Sequence, residues 1–140
     1  MENFWVLLVE PEETDRRLVE LATKSILSQA DLVFVESFDQ FVPAISGRGS
    51  LPALAIVDWH AGGENPASCL DTLERLGLLA HIPVIATARK EPVRALTESS
   101  AAGVTRFVSK RPDDFCFRKK LTEAIAECVP REKRIASAAA

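Results

Sequence analysis

Four polar residues of this sequence stand at the ends of apolar runs, and their side chains suit the handling of a phosphoryl group. They are Glu10, Asp58, Thr87 and Lys110. A carboxylate can act as a nucleophile towards phosphorus, and two carboxylates can hold a hard divalent cation such as Mg²⁺. An ammonium group and a hydroxyl can bind phosphoryl oxygens. Because a buried, unpaired carboxylate is costly, Asp58 after four apolar residues indicates a nearby cation or a chemical task.

The apolar runs that carry these residues have the character of β-strands. The first and third runs are apolar at successive positions rather than at alternating ones, which is typical of strands covered on both faces. Segments of helical character separate the runs. The five runs are FWVLLV (4–9), LVFV (32–35), LAIV (54–57), PVIAT (83–87) and VTRFVS (104–109).

Two of the helical segments show amphipathic stripes at the spacing of an α-helix. The first stripe consists of Leu18, Leu21, Ala22, Ser25 and Ile26, and the second of Phe117, Leu121, Ala124, Ile125 and Cys128. Pro92 and Asp113 lie near two later helix starts. Pro43 falls inside the second helical segment, so that helix should be short, kinked or late in starting.

The alternation of strands and helices predicts an α/β fold with a parallel sheet and helices on both faces. Five such units with right-handed crossovers favour a flavodoxin-like, doubly wound five-stranded sheet in the order 2-1-3-4-5, with five helices. In an open sheet of this kind, function collects at the carboxyl ends of the strands. We therefore expect the four polar residues to meet at one edge of the sheet.

Size and composition indicate one domain of ordinary globular character. We expect this domain at residues 1–128 and a polar, alanine-rich tail or linker at 129–140. A formal net charge of −3 gives no electrostatic basis for direct binding to nucleic acid. The N-terminal apolar run is too short to cross a membrane. Three cysteines without CxxC spacing are typical of small core residues in a reducing compartment, so we expect a cytoplasmic protein.

Four pieces of the sequence, in this order and spacing, resemble the response-regulator receiver domains of two-component signalling. They are VLLVE before the first helix, LAIVDW around Asp58, PVIATA at the end of the fourth strand and AAGVTRFVSK leading to Lys110. The resemblance spans about residues 4 to 128. It implies a signalling domain that performs at most its own Mg²⁺-dependent phosphorylation, rather than an enzyme.

The resemblance also implies a role for each residue of the site. Asp58 would accept a phosphoryl group from a sensor histidine kinase or a phosphotransfer protein. Mg²⁺ would be held, weakly, by Glu10, Asp58 and the backbone carbonyl of His60. Lys110 would pair with Asp58 and with the phosphoryl group placed there.

Two further residues would carry the signal away from the site. Thr87 would be the switch hydroxyl that closes on the phosphate, and Phe107 the aromatic ring that swings inwards. The output surface would be the face formed by the fourth helix, the fifth strand and the fifth helix, with Arg94, Arg106 and Arg118 as exposed candidates. An output domain, a partner protein or a second copy of the chain would bind there.

The acidic pair after the first strand departs from the receiver pattern. It reads Glu10-Pro11, and proline supplies no carboxylate to a metal. Glu12 and Glu13 are more typical of solvated acids in a first helical turn than of a replacement ligand. We therefore expect a weakened metal site with water in the remaining positions.

A second departure leaves two interpretations of the function open. Lys110 is followed by Arg111 and only then by Pro112, so any cis bond falls at Arg111–Pro112. Retention of Asp58, Thr87 and Lys110 favours a working receiver. The altered acidic pair and the rebuilt loop favour a pseudo-receiver, an interaction module that signals without phosphate. A flavodoxin-type nucleotide binder fits poorly, because no glycine-rich phosphate loop follows the first strand.

Overall fold

The computed structural model describes residues 4–89 and 92–129, and for 92–95 the description is limited to the helical backbone. The strands of this part of the chain are β1 (Trp5–Val9), β2 (Asp31–Val35), β3 (Leu54–Asp58), β4 (Val84–Ala88) and β5 (Arg106–Ser109). They form one parallel sheet in the order β2-β1-β3-β4-β5.

A helix follows each strand, and short 3₁₀ turns stand at Phe38–Gln40 and Leu79–His81. The helices are α1 (Glu13–Ile26), α2 (Phe41–Arg48), α3 (Pro66–Arg75), α4 (Pro92–Ala101) and α5 (Asp114–Cys128). The predicted flavodoxin-like, doubly wound fold and its strand order are therefore confirmed.

Two apolar layers cover the sheet, one on each face. The layer on the side of α2 and α3 includes Trp5, Leu7, Val9, Phe38, Phe41, Leu70 and Leu73. The layer on the side of α1 and α5 includes Val6, Leu8, Ile56, Val19, Phe117 and Leu121. Successive residues of β1 thus point into opposite layers, which is why its sequence is apolar at every position.

The buried face of α1 differs from the predicted stripe. The buried residues are Asp15, Val19, Ala22 and Thr23. Ala22 is buried and Leu18 and Ile26 pack against the layer of α1 and α5, as predicted, but Ser25 is exposed and Leu21 has 45% of its surface exposed. The reason is that the buried face begins at a carboxylate, which a search for apolar periodicity does not count. On α5 the predicted stripe is confirmed, with Phe117, Leu121, Ala124 and Ile125 buried and Cys128 packed against their layer.

The fifth strand is shorter than the apolar run that predicted it. It begins at Arg106 rather than at residue 104, because the Val104 amide donates to the Ser99 carbonyl (3.0 Å) and belongs to the turn after α4. At its other end the Lys110 amide donates to the Ala88 carbonyl (2.9 Å). Lys110 therefore lies at the carboxyl edge of the sheet, as predicted.

The prolines act as the sequence predicted. Pro43 lies in α2, which has only eight residues and starts late, after a 3₁₀ turn. Pro92 is the first residue of α4. The Arg111–Pro112 bond is cis.

None of the helices within residues 4–89 and 92–129 is long and apolar enough to cross a membrane. At the C-terminal end, Val129 is buried against the layer of α1 and α5. The rest of the predicted tail, residues 130–140, lies outside the described residues.

Candidate functional site

Asp58 ends β3 at the carboxyl edge of the sheet. It pairs in register with Thr87 of β4, and the next residue continues the ladder through the Trp59 amide, which donates to the Thr87 carbonyl (2.8 Å). One carboxylate oxygen of Asp58 accepts from the His60 amide (3.0 Å). Its side chain remains 14% exposed. Asp58 is therefore held by the backbone around it and still accessible from outside.

Lys110 is the centre of the site. Its ammonium nitrogen lies 2.8 Å from Asp15 Oδ2, 2.9 Å from Glu10 Oε1 and 3.4 Å from Asp58 Oδ2. Its side chain is only 3% exposed, so these three carboxylates replace the water that the ammonium has lost. Burial by itself lowers the pKa of Lys110, but the nearby negative charges of Asp58 and Glu10 outweigh it, and the pKa is raised. The predicted ion pair with Asp58 is present, as the longest of three contacts.

Glu10 is buried where β1 ends. One of its carboxylate oxygens contacts Lys110, and the other accepts from the Glu12 amide (3.2 Å). Burial raises the pKa of Glu10 to about 7, since Lys110 compensates for the lost hydration only in part and Asp58 adds a like charge. Glu10 therefore titrates near neutral pH.

Asp15 belongs to the site, although the sequence analysis did not predict it there. It lies in the first turn of α1, is 4% exposed, and uses both oxygens on cations. Asp15 Oδ2 contacts Lys110, and Asp15 Oδ1 accepts from the Arg89 guanidinium (2.9 Å). A signal was available, because Asp15, Val19 and Ala22 follow helical spacing and place the carboxylate on the buried face.

A pocket opens above Asp58. Its volume is about 440 Å³, and it is lined by Glu12, Thr14, Asp15, Asp58, His60, Arg89, Lys110 and Asp114. Cations and acids thus surround one partly exposed carboxylate, in a space that admits a small anion.

The two predicted switch residues lie beside this pocket rather than in its lining. Thr87 is fully buried, and its hydroxyl donates to the Val57 carbonyl (3.4 Å). Phe107 is half-buried and packs against the layer of α2 and α3. Arg106 and Arg118, two of the three arginines predicted on the output surface, are exposed. The side chain of the third, Arg94, lies outside the described residues.

Two of the residues predicted to hold a divalent cation, Glu10 and Asp58, lie close together. Glu10 and Asp58 both contact Lys110, so their carboxylates face a common space. Pro11 is exposed and contributes no ligand. Within residues 4–89 and 92–129, no group of three or more His, Cys, Asp or Glu side chains is arranged to hold a metal. The donor set fits a hard cation that keeps several waters, rather than a protein cage.

No protein-family model matches this sequence, and no curated protein matches it. Solved structures do match. The phosphorylated cyanobacterial phytochrome response regulator RcpA has a TM-score of 0.76 and 16% identity, over 88% of this chain and 91% of that chain. The Mn²⁺-bound form of the response regulator Rcp1 has a TM-score of 0.77 and 17% identity, over 91% and 96% of the two chains.

A response regulator in red light signalling of R. palustris is similar as well, with a TM-score of 0.70 and 22% identity over 89% of this chain and 90% of that chain. These likenesses extend over nearly the whole length of both chains, and at such identities they concern the fold. The strand order, the five helices and the structural neighbours agree with the resemblance seen in the sequence. The chain has the fold of response-regulator receiver domains.

Proposed function

We propose that this chain works as a receiver in two-component signalling and accepts a phosphoryl group on Asp58 from a histidine kinase or a phosphotransfer protein. One observation carries the proposal: Asp58 is a partly exposed carboxylate at a strand end, in a pocket whose floor holds a buried lysine 3.4 Å away. A nucleophile must be accessible, and the ammonium must be close to the charge that arrives.

The chemical step is a displacement at phosphorus. An oxygen of Asp58 attacks the phosphorus of a phosphohistidine, a P–O bond forms, the P–N bond breaks, and its electron pair stays on the imidazole nitrogen. Lys110 neutralises charge on the phosphoryl oxygens next to Asp58. Mg²⁺, held by Glu10, Asp58 and the His60 carbonyl, would supply further charge neutralisation when bound. Glu10 can hold the cation only in its ionised form. Because its pKa is about 7, this binding requires a pH at which Glu10 is ionised.

The relay begins at Thr87. Its hydroxyl makes one long hydrogen bond to the Val57 carbonyl, and this bond can be exchanged for one to a phosphoryl oxygen on the neighbouring strand. The change would pass to Phe107 on β5 and to the α4–β5–α5 face, where Arg106 and Arg118 are exposed. That face would bind an output domain, a partner protein or a second copy of the chain, in the cytoplasm.

A second function has an observation in its favour. Lys110 is bound by three carboxylates at once, and Pro11 removes one expected metal ligand. The ammonium of Lys110 is therefore paired without metal or phosphate. A pseudo-receiver that binds partners through the same fold, without phosphorylation, is the alternative.

Intact mass measurement separates the two functions. The parent and Asp58→Asn are incubated with Mg²⁺ and acetyl phosphate, after circular dichroism shows that both are folded. The receiver proposal expects the mass of one phosphoryl group on the parent and none on Asp58→Asn. Absence of any gain in the folded parent, at high donor concentration, would favour the pseudo-receiver.

A further inference from the structure

Asp15 forms ion pairs with two cations that a bound phosphoryl group would need. Its carboxylate bridges Lys110 (2.8 Å) and Arg89 (2.9 Å), one oxygen to each. Both cations line the same pocket as Asp58. A bound oxyanion also presents negative oxygens a short distance apart, so Asp15 and an incoming phosphoryl group compete for the same donors.

Lys110 lies nearer to Asp15 than to Asp58. The two distances are 2.8 and 3.4 Å, and the first contact joins two nearly fully buried side chains. Asp15 is therefore the closest of the three carboxylates that share the Lys110 ammonium with a phosphoryl group arriving at Asp58.

Arg89 is fixed in position by a second arginine. The Arg111 side chain donates to the Arg89 backbone carbonyl (2.8 Å), and Lys120 donates to the Arg111 carbonyl (2.7 Å). With its backbone held in this way, the Arg89 guanidinium reaches Asp15 while keeping 45% of its side chain exposed at the mouth of the pocket. Once released by Asp15, the guanidinium would therefore be within reach of an anion that enters the pocket.

Other acids near the pocket do not make both contacts. Asp114 lies 4.0 Å from the Arg89 guanidinium and is exposed, and Glu12 is exposed at the rim. Glu10 and Asp58 contact Lys110, but within the described residues neither has an ion pair with Arg89. Asp15 alone among these acids joins the two cations from a buried position.

We propose that Asp15 is an internal counter-anion, which holds Lys110 and Arg89 and thereby weakens the binding of a phosphoryl group in the pocket and slows its transfer to Asp58. The part concerning transfer rests on the proposed receiver function. Asp15 is a positioning residue, because it acts through the two cations and not on phosphorus. The substitution Asp15→Asn removes the charge, keeps the shape, and releases Arg89 and Lys110 for an anion.

The first experiment measures anion binding without any chemistry. Inorganic phosphate is titrated into ¹⁵N-labelled protein, and the dissociation constant is taken from amide shifts around Asp58. We expect phosphate to bind Asp15→Asn roughly tenfold more tightly than the parent, since one short-range charge has been removed. Glu12→Gln is the matched control, because it removes one acid from the same pocket without touching either cation, and it should change the affinity about twofold or less. Equal affinities of the parent and Asp15→Asn would overturn the proposal.

Substitution of Arg89 tests whether the gain in phosphate affinity comes from the release of the Arg89 guanidinium. In the parent Arg89 is already occupied, so Arg89→Gln should change phosphate affinity little. In the Asp15→Asn background, Arg89→Gln should remove most of the gain. The single Arg89→Gln variant keeps the proposal testable even if Asp15→Asn does not fold. A large loss of phosphate affinity in Arg89→Gln would show that Arg89 is free in the parent and would contradict the proposal.

The second experiment follows transfer, with acetyl phosphate as the donor. The new P–O bond forms to Asp58, the bond between phosphorus and the acetyl oxygen breaks, and acetate leaves with the electron pair. Phosphorylation of Asp15→Asn should be faster than that of the parent, whereas an equal or slower rate would overturn the counter-anion role. If phosphate binds more tightly to Asp15→Asn but neither this variant nor the parent is phosphorylated, the counter-anion role is supported and the receiver function is the part that fails.

Discussion

The two sides of the Asp58 pocket are built differently. On the side of α1, Glu10, Asp15 and Lys110 are all buried, and each is held by charge-assisted contacts below 3 Å. On the side of α4, two polar contacts of the described residues are longer. The Thr87 hydroxyl donates to Val57 at 3.4 Å, and the Trp59 indole donates to Glu98 at 3.3 Å.

This difference separates two tasks. Buried charges that neutralise one another are expensive to separate, so the α1 side should keep its arrangement and set the electrostatics of the site. Longer hydrogen bonds are cheap to exchange, so the α4 side can respond to what happens at Asp58. Substitutions on the α1 side should therefore change stability and ligand affinity strongly, and those on the α4 side should change them weakly.

Removal of the ammonium from the α1 side should have the largest effect. Lys110→Met leaves Glu10, Asp15 and Asp58 without their common cation, two of them buried. We expect the free energy of unfolding at pH 7 to fall by about 3 to 5 kcal/mol, as urea denaturation would measure it. The loss should shrink in acid, where the Glu10 carboxyl is protonated and no longer needs the cation.

Lys119→Met is the control for this prediction. Lys119 is an exposed lysine on α5, and its loss should change the stability by no more than about 0.5 kcal/mol. If Lys110→Met were no more destabilising than Lys119→Met, the buried charge cluster would not be what fixes the α1 side.

The fold and half of the site could be predicted from the sequence for the same physical reason. A strand covered on both faces must be apolar, so Asp58 stands out where β3 ends, and Lys110 follows the end of β5. Because all strands are parallel, these ends meet at one edge. Glu10 was found in the same way.

Asp15 could not be found by that reasoning, because it lies inside a helix and a carboxylate in a first turn is ordinarily solvated. Its burial depends on the Lys110 and Arg89 partners, which come from residues far away in sequence. The predicted face of α1 was wrong at Leu21 and Ser25 for the same reason, since the helix turns its charged residue inwards. The proximity of Arg89 to Asp15 likewise required the structure.

The titration of Glu10 gives the next largest effect on the α1 side. Its pKa is raised from 4.5 to about 7 by burial, so the folded protein binds more protons than the unfolded chain between these values. The stabilisation from the protonated form is fully present below about pH 4.5 and is lost as the pH rises through 7. Glu10→Gln mimics the protonated form at every pH and does not lose this stabilisation. The difference between its free energy of unfolding and that of the parent should therefore rise by about 2 to 3 kcal/mol from pH 5 to pH 8.

Urea denaturation of the parent and Glu10→Gln at these two pH values measures this gain. Glu20→Gln, at an exposed position of α1, serves as the control and should show the same pH dependence as the parent. A stability difference between the parent and Glu10→Gln that stays constant with pH would show that Glu10 does not titrate in this range.

Restoring a carboxylate at position 11 should have a smaller effect in free energy than the substitution of Lys110 or of Glu10. Pro11→Asp places an acid beside Glu10 at the exposed rim and should tighten Mg²⁺ binding roughly tenfold, or by about 1.4 kcal/mol. Isothermal titration calorimetry with Mg²⁺ measures the affinity. Pro11→Asn has nearly the same size without the charge and should change the affinity much less. An unchanged affinity in folded Pro11→Asp would indicate that another acid already completes the site, or that no metal site exists here.

The smallest effect should come from the α4 side. Glu98→Ala removes the acceptor of the Trp59 indole, and because Trp59 is buried its N–H group is left poorly satisfied. The expected loss of stability is about 1 kcal/mol. Glu98→Gln keeps an acceptor oxygen at the same place and should retain most of that stability.

Hydrogen exchange adds a test of where this effect appears. If the α4 side is held by longer, exchangeable contacts, Glu98→Ala should speed amide exchange in residues 97–101 of α4 and leave β1 and α1 unchanged. Local loosening of that kind would show that α4 can move while the buried charges stay in place. Equal acceleration across α1 and α4 would mean that the two sides of the pocket unfold together, and that the distinction between a fixed side and a responsive side does not hold.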